Sequence, residues 1–231
     1  MIPLSVPFIN GNEWKYVKKC LDSGWISSSG TFVNDFEKGI ADFVGVKHAV
    51  ACMNGTAGLQ IAQIVCGVKK SDYVIVPNLT FVATLNSVRH VGASPILIDA
   101  NINSWQMNLD LLEKFLFEET ELVKCNDRFY SFKKSDGKRV YAIMPVHVLG
   151  ALVDMNRLIK IAQKYHLIII EDSTEALGSF KDGKHAGTFG LTGILSFNGN
   201  KIISTGGGGM ILTNDKKIAI RAKHITTTAK T

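Results

Sequence analysis

Ser196-Phe197-Asn198-Gly199-Asn200-Lys201 runs out of an apolar segment, 193–197, toward the glycine tract 206–209. Read as the end of a buried strand, it sets a lysine amine at the mouth of a sheet, where a carbonyl could reach it. Read alone, the lysine is more often a solvated loop charge. Two upstream segments favour the first reading. Leu167-Ile168-Ile169-Ile170-Glu171-Asp172 is another buried-strand run, and it ends in two carboxylates. Asn54-Gly55-Thr56-Ala57 joins a strand to a helix in a turn suited to phosphate.

Working outward, apolar runs bounded by turn residues alternate with segments of helical period. That pattern predicts an α/β fold, a three-layer sandwich whose mostly parallel sheet of roughly seven strands carries helices on both faces. Strands are predicted at 48–53, 73–77, 94–99, 140–146, 167–172, 193–197 and 208–212. Helices are predicted at 12–23, 34–43, 56–66, 80–91, 108–117 and 155–165, several opened by Asn, Thr or Asp caps. The Gly- and Ser-rich segment 25–31 reads as a loop. Ligands of open α/β sheets collect beyond the carboxyl ends of the strands. Asn54-Gly55-Thr56-Ala57, Asn78-Leu79-Thr80-Phe81, Glu171-Asp172 and the segment from Asn198 to Lys201 all fall there, so loops distant in sequence converge on one rim.

Length and composition set the frame. With 231 residues, 46% hydrophobic and 20% charged, one large domain is expected. No stretch reaches the ~18 apolar residues of a membrane span, and Met1-Ile2-Pro3-Leu4-Ser5 carries no basic leader, so a cytoplasmic protein without a membrane partner is expected. Cys20, Cys52, Cys66 and Cys125 form no C-x-x-C pair, which predicts neither disulfides nor a metal site. Much of the net charge of +6 lies in 132–139 and in 216–230, expected as a solvated loop and an exposed terminal helix, with attraction for a phosphorylated small substrate as the alternative. Neither interleaves aromatics with basic residues, so no nucleic-acid partner is expected.

If pyridoxal phosphate sits on this rim, each loop acquires a task. Lys201 would hold the cofactor aldehyde as a Schiff base and later shuttle a proton. Asp172 would pair with the pyridine nitrogen; its plainer role is a strand-end helix cap. Glu175 would reach the ring hydroxyl, or is a surface carboxylate. Phe81 would stack on the ring, or anchors its helix in the core. The phosphate would take the N–H groups of Thr56 and Ala57 and a hydroxyl from Thr56 or Ser196. The glycine tract lacks the context of a nucleotide loop and reads as a tight turn. His147, at a strand end without companion ligands, reads as a hydrogen-bonded rim histidine.

Taken together, Asn54-Gly55-Thr56-Ala57, Pro77-Asn78-Leu79-Thr80-Phe81-Val82-Ala83-Thr84, Pro145-Val146-His147-Val148-Leu149-Gly150, Glu171-Asp172-Ser173-Thr174-Glu175-Ala176-Leu177-Gly178 and the segment 196–209 resemble the DegT-type sugar-nucleotide aminotransferases, fold-type I pyridoxal-phosphate enzymes. The resemblance spans nearly the whole chain in the family's order. It implies Lys201 as the Schiff-base lysine, Asp172 as the pyridinium partner, Glu175 beside the ring hydroxyl, Phe81 as the stacking aromatic, and Thr56, Ala57 and Ser196 as phosphate ligands. It also implies a homodimer and a large domain over 1–231 with an N-terminal arm at about 1–30, the family's small C-terminal domain being absent. Gly11-Asn12-Glu13-Trp14-Lys15-Tyr16, the lysine loop and the hairpin-like insert at 133–139 look like the branch that aminates C4 of a nucleotide-linked 4-keto-6-deoxy hexosamine for bacillosamine or legionaminic acid, with L-glutamate as donor. A UDP sugar is the first expectation, with GDP and dTDP open. The alternative is a truncated, catalytically silent remnant that binds cofactor or a full-length homologue. A dehydratase on the same scaffold is disfavoured, because such relatives carry histidine where Lys201 stands.

Overall fold

Residue-by-residue alternation along the strands sends neighbouring apolar side chains to opposite faces of one sheet, and both faces are covered. The computed structural model describes residues 2 and 6–229, so most of the leader reading at Met1 to Ser5 lies outside the described residues. The central path runs β1 (His48–Cys52), β11 (Gly209–Thr213), β10 (Thr192–Ser196), β7 (Ile168–Asp172), β6 (Arg139–Ile143), β2 (Tyr73–Pro77) and β3 (Ser94–Ile98). Only β11 runs against the others on this path. Val50, Ile211, Ile194 and Ile170 meet α3 (Gly55–Cys66), α4 (Val82–His90) and α7 (Lys216–Thr226) on one face. Ile75, Ile143 and Ile169 meet α5 (Leu109–Glu119) and α6 (Met155–Lys164) on the other, where Ala49, Leu195 and Met210 also pack on α2 (Thr31–Val44). The expected three-layer α/β sandwich is the observed one.

The differences have physical causes. β4 (Thr120–Cys125) and β5 (Arg128–Lys133) join the sheet beside β6 and raise it to nine strands. Their turn, Asn126-Asp127, has φ of 46° and 63°, the left-handed pair that tight hairpins favour. Strand β6 ends at Ile143, short of the expected 146, where Pro145 has no N–H for the ladder; only an isolated bridge from Val146 to Asp172 continues it. Helix α4 starts at Val82 because the Thr80 hydroxyl bonds Thr84 Oγ1 at 2.7 Å instead of capping. Helix α2 begins three residues earlier than expected, after Gly30. The basic terminal helix is not wholly exposed: α7 buries Ile218, Ala219 and Ala222. Conversely α1 (Glu13–Ser23) buries none of its residues.

The close approach of the sheet to the segment after β9 (Lys184–His185), which pairs with β8 (Phe180–Lys181), depends on glycine. A Cβ on Gly193 would stand 2.0 Å from the Gly187 carbonyl oxygen, whereas one on Gly199 meets nothing within 4 Å. Gly193→Ala should therefore cost at least about 3 kcal/mol or prevent folding, beyond the usual range for overpacking. Gly199→Ala should leave the urea midpoint near the wild-type value, and equal midpoints for the two variants would refute this packing account.

Candidate functional site

Strand β7 ends in two carboxylates that the pleat sends to opposite sides. Glu171 is fully buried and saturated. Its Oε2 receives the Gly187 N–H at 2.9 Å and faces His147 Nε2 at 2.9 Å, while its Oε1 receives the N–H groups of Phe189 and Gly190 at 2.6 and 2.5 Å. His147 Nδ1 accepts from the Val153 N–H at 3.3 Å, so Nε2 carries the proton donated to Glu171. His147 is thus not on the rim but sealed beneath it.

Asp172 is also buried, yet it lines a cavity of about 320 Å³. Its Oδ2 accepts from Thr84 Oγ1 at 2.7 Å and its Oδ1 from the Thr174 N–H at 3.2 Å, so it caps no helix. Around the same cavity stand Lys201, Glu175, Phe81, Thr56 and Ser196, together with Asn54, Gly55 and Asn200. The structure therefore brings together every residue expected at the site except Ala57. Phe81 precedes the first residue of α4 and is 74% exposed, which removes its core-anchor reading. Glu175 is more than a surface carboxylate: its Oε1 lies 3.4 Å from Lys201 Nζ, and its Oε2 accepts the Leu149 N–H at 3.0 Å. Leu149 holds a left-handed φ of 53° while 74% exposed, the kind of strain that surrounding contacts must sustain.

Helix α3 points its N-terminus into this cavity. Asn54 caps it by accepting the Ala57 N–H at 2.8 Å, so that donor is already committed and Ala57 is not a free phosphate ligand in this state. Gly55 is required by proximity, since a Cβ there would stand 3.0 Å from Ser196 Cβ and from Thr174 Cγ2. The bare glycine leaves a cradle between the helix terminus and the Ser196 side chain. An amine, a carboxylate, an exposed aromatic face, two hydroxyl residues and a helix N-terminus match the aldehyde, ring nitrogen, ring face and phosphate of pyridoxal phosphate. The lysine loop is closed by Phe197 N–H to Gly208 O at 2.9 Å and Thr205 N–H to Phe197 O at 3.0 Å, and Gly206 takes a φ of 81°, so the glycine tract is a turn back into β11. Sequence reasoning missed Thr84, although it lies in a quoted motif, and missed the capping role of Asn54 as a competitor for Ala57. Near the cradle, burial pushes the Cys52 thiol up to about 12, which leaves it inert.

The segment supporting Glu171 hangs on His185, which is fully buried. Its Nε2 accepts the Gly178 N–H at 2.8 Å and its Nδ1 donates to the Ala186 carbonyl, an arrangement only the neutral ring can make. Burial holds its pKa below 6.5, opposed by the Ala186 contact.

Comparison with known proteins finds clear relatives of this chain. The model of the DegT/DnrJ/EryC1/StrS aminotransferase family matches residues 7–230. A GDP-perosamine synthase of Caulobacter vibrioides is 40% identical over 96% of this chain and 54% of its own length. EpsN of Bacillus subtilis, described as a pyridoxal phosphate-dependent aminotransferase, is 37% identical over 99% of this chain and 55% of its own. The crystal structure of a DegT DnrJ EryC1 StrS aminotransferase from Brucella abortus superposes with a TM-score of 0.82 at 32% identity, covering 91% of this chain and 53% of that one. The chain thus spans about half the length of the relatives it matches.

Because the folded state holds His185 neutral, its stabilising contribution is fully present above 6.5 and is lost as pH falls from there toward the lowered folded value. The thermal midpoint should drop between about pH 7.5 and about pH 5.5. His185→Gln should melt lower at the upper pH and show a shallower slope; parallel slopes for the two proteins would contradict the assignment.

Proposed function

The chain belongs to the DegT/DnrJ/EryC1/StrS aminotransferase family, and from that premise we propose that it uses pyridoxal phosphate to move an amino group from L-glutamate to the C4 ketone of a nucleotide-linked 4-keto-6-deoxy sugar. The observation that carries this reading is the convergence of Lys201, Asp172, Phe81, Glu175, Thr56 and Ser196 on one cavity. Bound pyridoxal phosphate would supply an electrophilic carbonyl carbon, which carries the amino group between donor and acceptor, and an electron-withdrawing ring.

The chain's own groups do the rest. Lys201 Nζ provides the attaching amine and, when displaced, moves the proton at the carbon bearing the transferred nitrogen. The Asp172 carboxylate holds a proton on the ring nitrogen. Phe81 covers one ring face and excludes water there. Glu175, released from Lys201, is free to take the ring hydroxyl. The N-terminus of α3, with Thr56 and Ser196, holds the phosphate, and Ala57 joins only if Asn54 gives up its cap. The products are a 4-amino sugar and 2-oxoglutarate, so ketone and amine simply exchange places. The named Caulobacter relative supports GDP as the nucleotide, in place of the UDP sugar expected from the sequence. A homodimer in the cytoplasm is part of the same proposal. Among the described residues, no helix is long and apolar enough to cross a membrane.

Supplied with pyridoxal phosphate, glutamate and a GDP- or UDP-linked 4-keto-6-deoxy sugar, the protein should release 2-oxoglutarate and amino sugar in equal amounts, faster with the GDP form. Lys201→Ala should lower turnover by about a thousandfold or more. Borohydride reduction should fix the cofactor on Lys201 in the wild type, as read by peptide mass spectrometry. Fixation without 2-oxoglutarate would favour the silent remnant, and absence of fixation would overturn the cofactor reading.

A further inference from the structure

Behind Asp172 lies a run of hydroxyls, buried at Thr84 and Ser87 and half-buried at Thr80, that the transfer chemistry above does not use. Thr84 Oγ1 spends its proton on Asp172 Oδ2 at 2.7 Å, so the 2.7 Å contact with Thr80 Oγ1 must be donated by Thr80. On the inner side Ser87 Oγ donates to the Thr84 carbonyl at 2.7 Å, and Gln63 Nε2 donates to Ser87 Oγ at 3.0 Å and to Leu59 O at 3.1 Å. Gln63, Thr84 and Ser87 are at most 1% exposed. Valine would fill the space of Thr84 without desolvating a hydroxyl, so packing alone gives no reason for threonine here. Among the described residues, Thr84 is the side-chain donor to Asp172; the other donor is the Thr174 backbone.

We propose that Thr84 is a positioning residue for the ring-nitrogen partner. Its hydroxyl, polarised by Thr80, fixes the rotation of the Asp172 carboxylate about the Cβ–Cγ bond. Thr80, Phe81 and Thr84 belong to one turn at the start of α4, the same turn that presents the exposed Phe81 ring. One rigid element therefore sets both the aromatic face and the orientation of the carboxylate. The inference rests on reading this cavity as a pyridoxal phosphate site.

The test uses the full chain and pyridoxal phosphate carrying nitrogen-15 in its ring, with dissociation constants from fluorescence and ring-nitrogen protonation followed by NMR across pH. Thr84→Val should bind about tenfold more weakly, the scale of one lost hydrogen bond to a charged group. Its ring nitrogen should also lose its proton at lower pH than in the wild type. Thr84→Ser, which keeps the donor, should restore both. A ring-nitrogen titration in Thr84→Val that matches the wild type overturns the proposal, even if affinity falls, because loosened packing would weaken binding without moving the proton. Should Thr84→Val not fold, Thr80→Val breaks the relay one hydroxyl further out and should shift the titration in the same direction; no shift again overturns it. A wild-type chain that takes up no cofactor defeats the site reading itself, a different failure from a wild type that binds while Thr84→Val behaves like it.

Discussion

A carboxylate stripped of water costs several kcal/mol unless its oxygens are fully engaged, and Glu171 meets that demand inside the protein. It gathers His147 and the N–H groups of Gly187, Phe189 and Gly190, tying the end of β7 to a segment that also crosses Gly193 of β10. The pleat then dictates the rest. With Glu171 turned into this cage, Asp172 must face the opposite side, toward the helix α4 that presents Thr84 and the cavity that holds Lys201. Adjacent residues of like charge thus have separate duties: the first locks the backbone, and the second is left open to a ligand on ground already fixed.

Much of the frame was legible because the inner strands of the central path, β10 and β11 above all, are buried on both sides and read as continuous apolar runs. Ile168 to Asp172 and Thr192 to Ser196 needed only length and flanking turns to be found. The hairpin of β4 and β5 was not, because Thr120–Cys125 exposes all but its first residue and offers no alternation; the only clue was Asn126-Asp127 between two short runs. Lysine-rich α7 read as solvated, since its buried positions are few: Ile218, Ala219 and Ala222. Candidate residues at strand ends were singled out by chemistry and order, and all but Ala57 gather around one cavity. Thr84 was not, because threonine in a helix is ordinary in sequence and becomes informative only once Asp172 is seen 2.7 Å away.

The surface around the cavity differs in kind from the cage beneath it. Phe81, Leu149 and Ile202 are each more than 60% exposed. Burying such a side chain is worth about 1.5–3 kcal/mol, so a chain tuned for stability alone would have turned them inward. Scattered exposed apolar residues are normal, but Phe81 lines the cavity that holds Asp172 while Leu149 and Ile202 line an adjoining one that shares Lys201 and Glu175, and Leu149 is strained as well. Glu175 accounts for both observations in part: its Oε2 takes the Leu149 N–H and its Oε1 meets Lys201, so the strained turn and the reactive amine share one carboxylate. Whatever draws Glu175 away from Lys201 therefore acts on Leu149 too.

Helix α3 poses a competition that the protein resolves with a side chain. Its free N-terminus favours an anion by about 0.3–1 kcal/mol at exposed sites and more when partly buried. An asparagine cap is worth about 1 kcal/mol by itself, and Asn54 supplies one through the Ala57 N–H. The two are of similar size, so an anion gains little by evicting the cap. It gains more by leaving Asn54 in place and using the first-turn donors the cap does not reach, with Ser196 across the gap that Gly55 keeps open. On this reckoning the Asn54 cap stays in place whether or not a ligand is present, and the anion adds its own contacts instead of exchanging them for those of the cap.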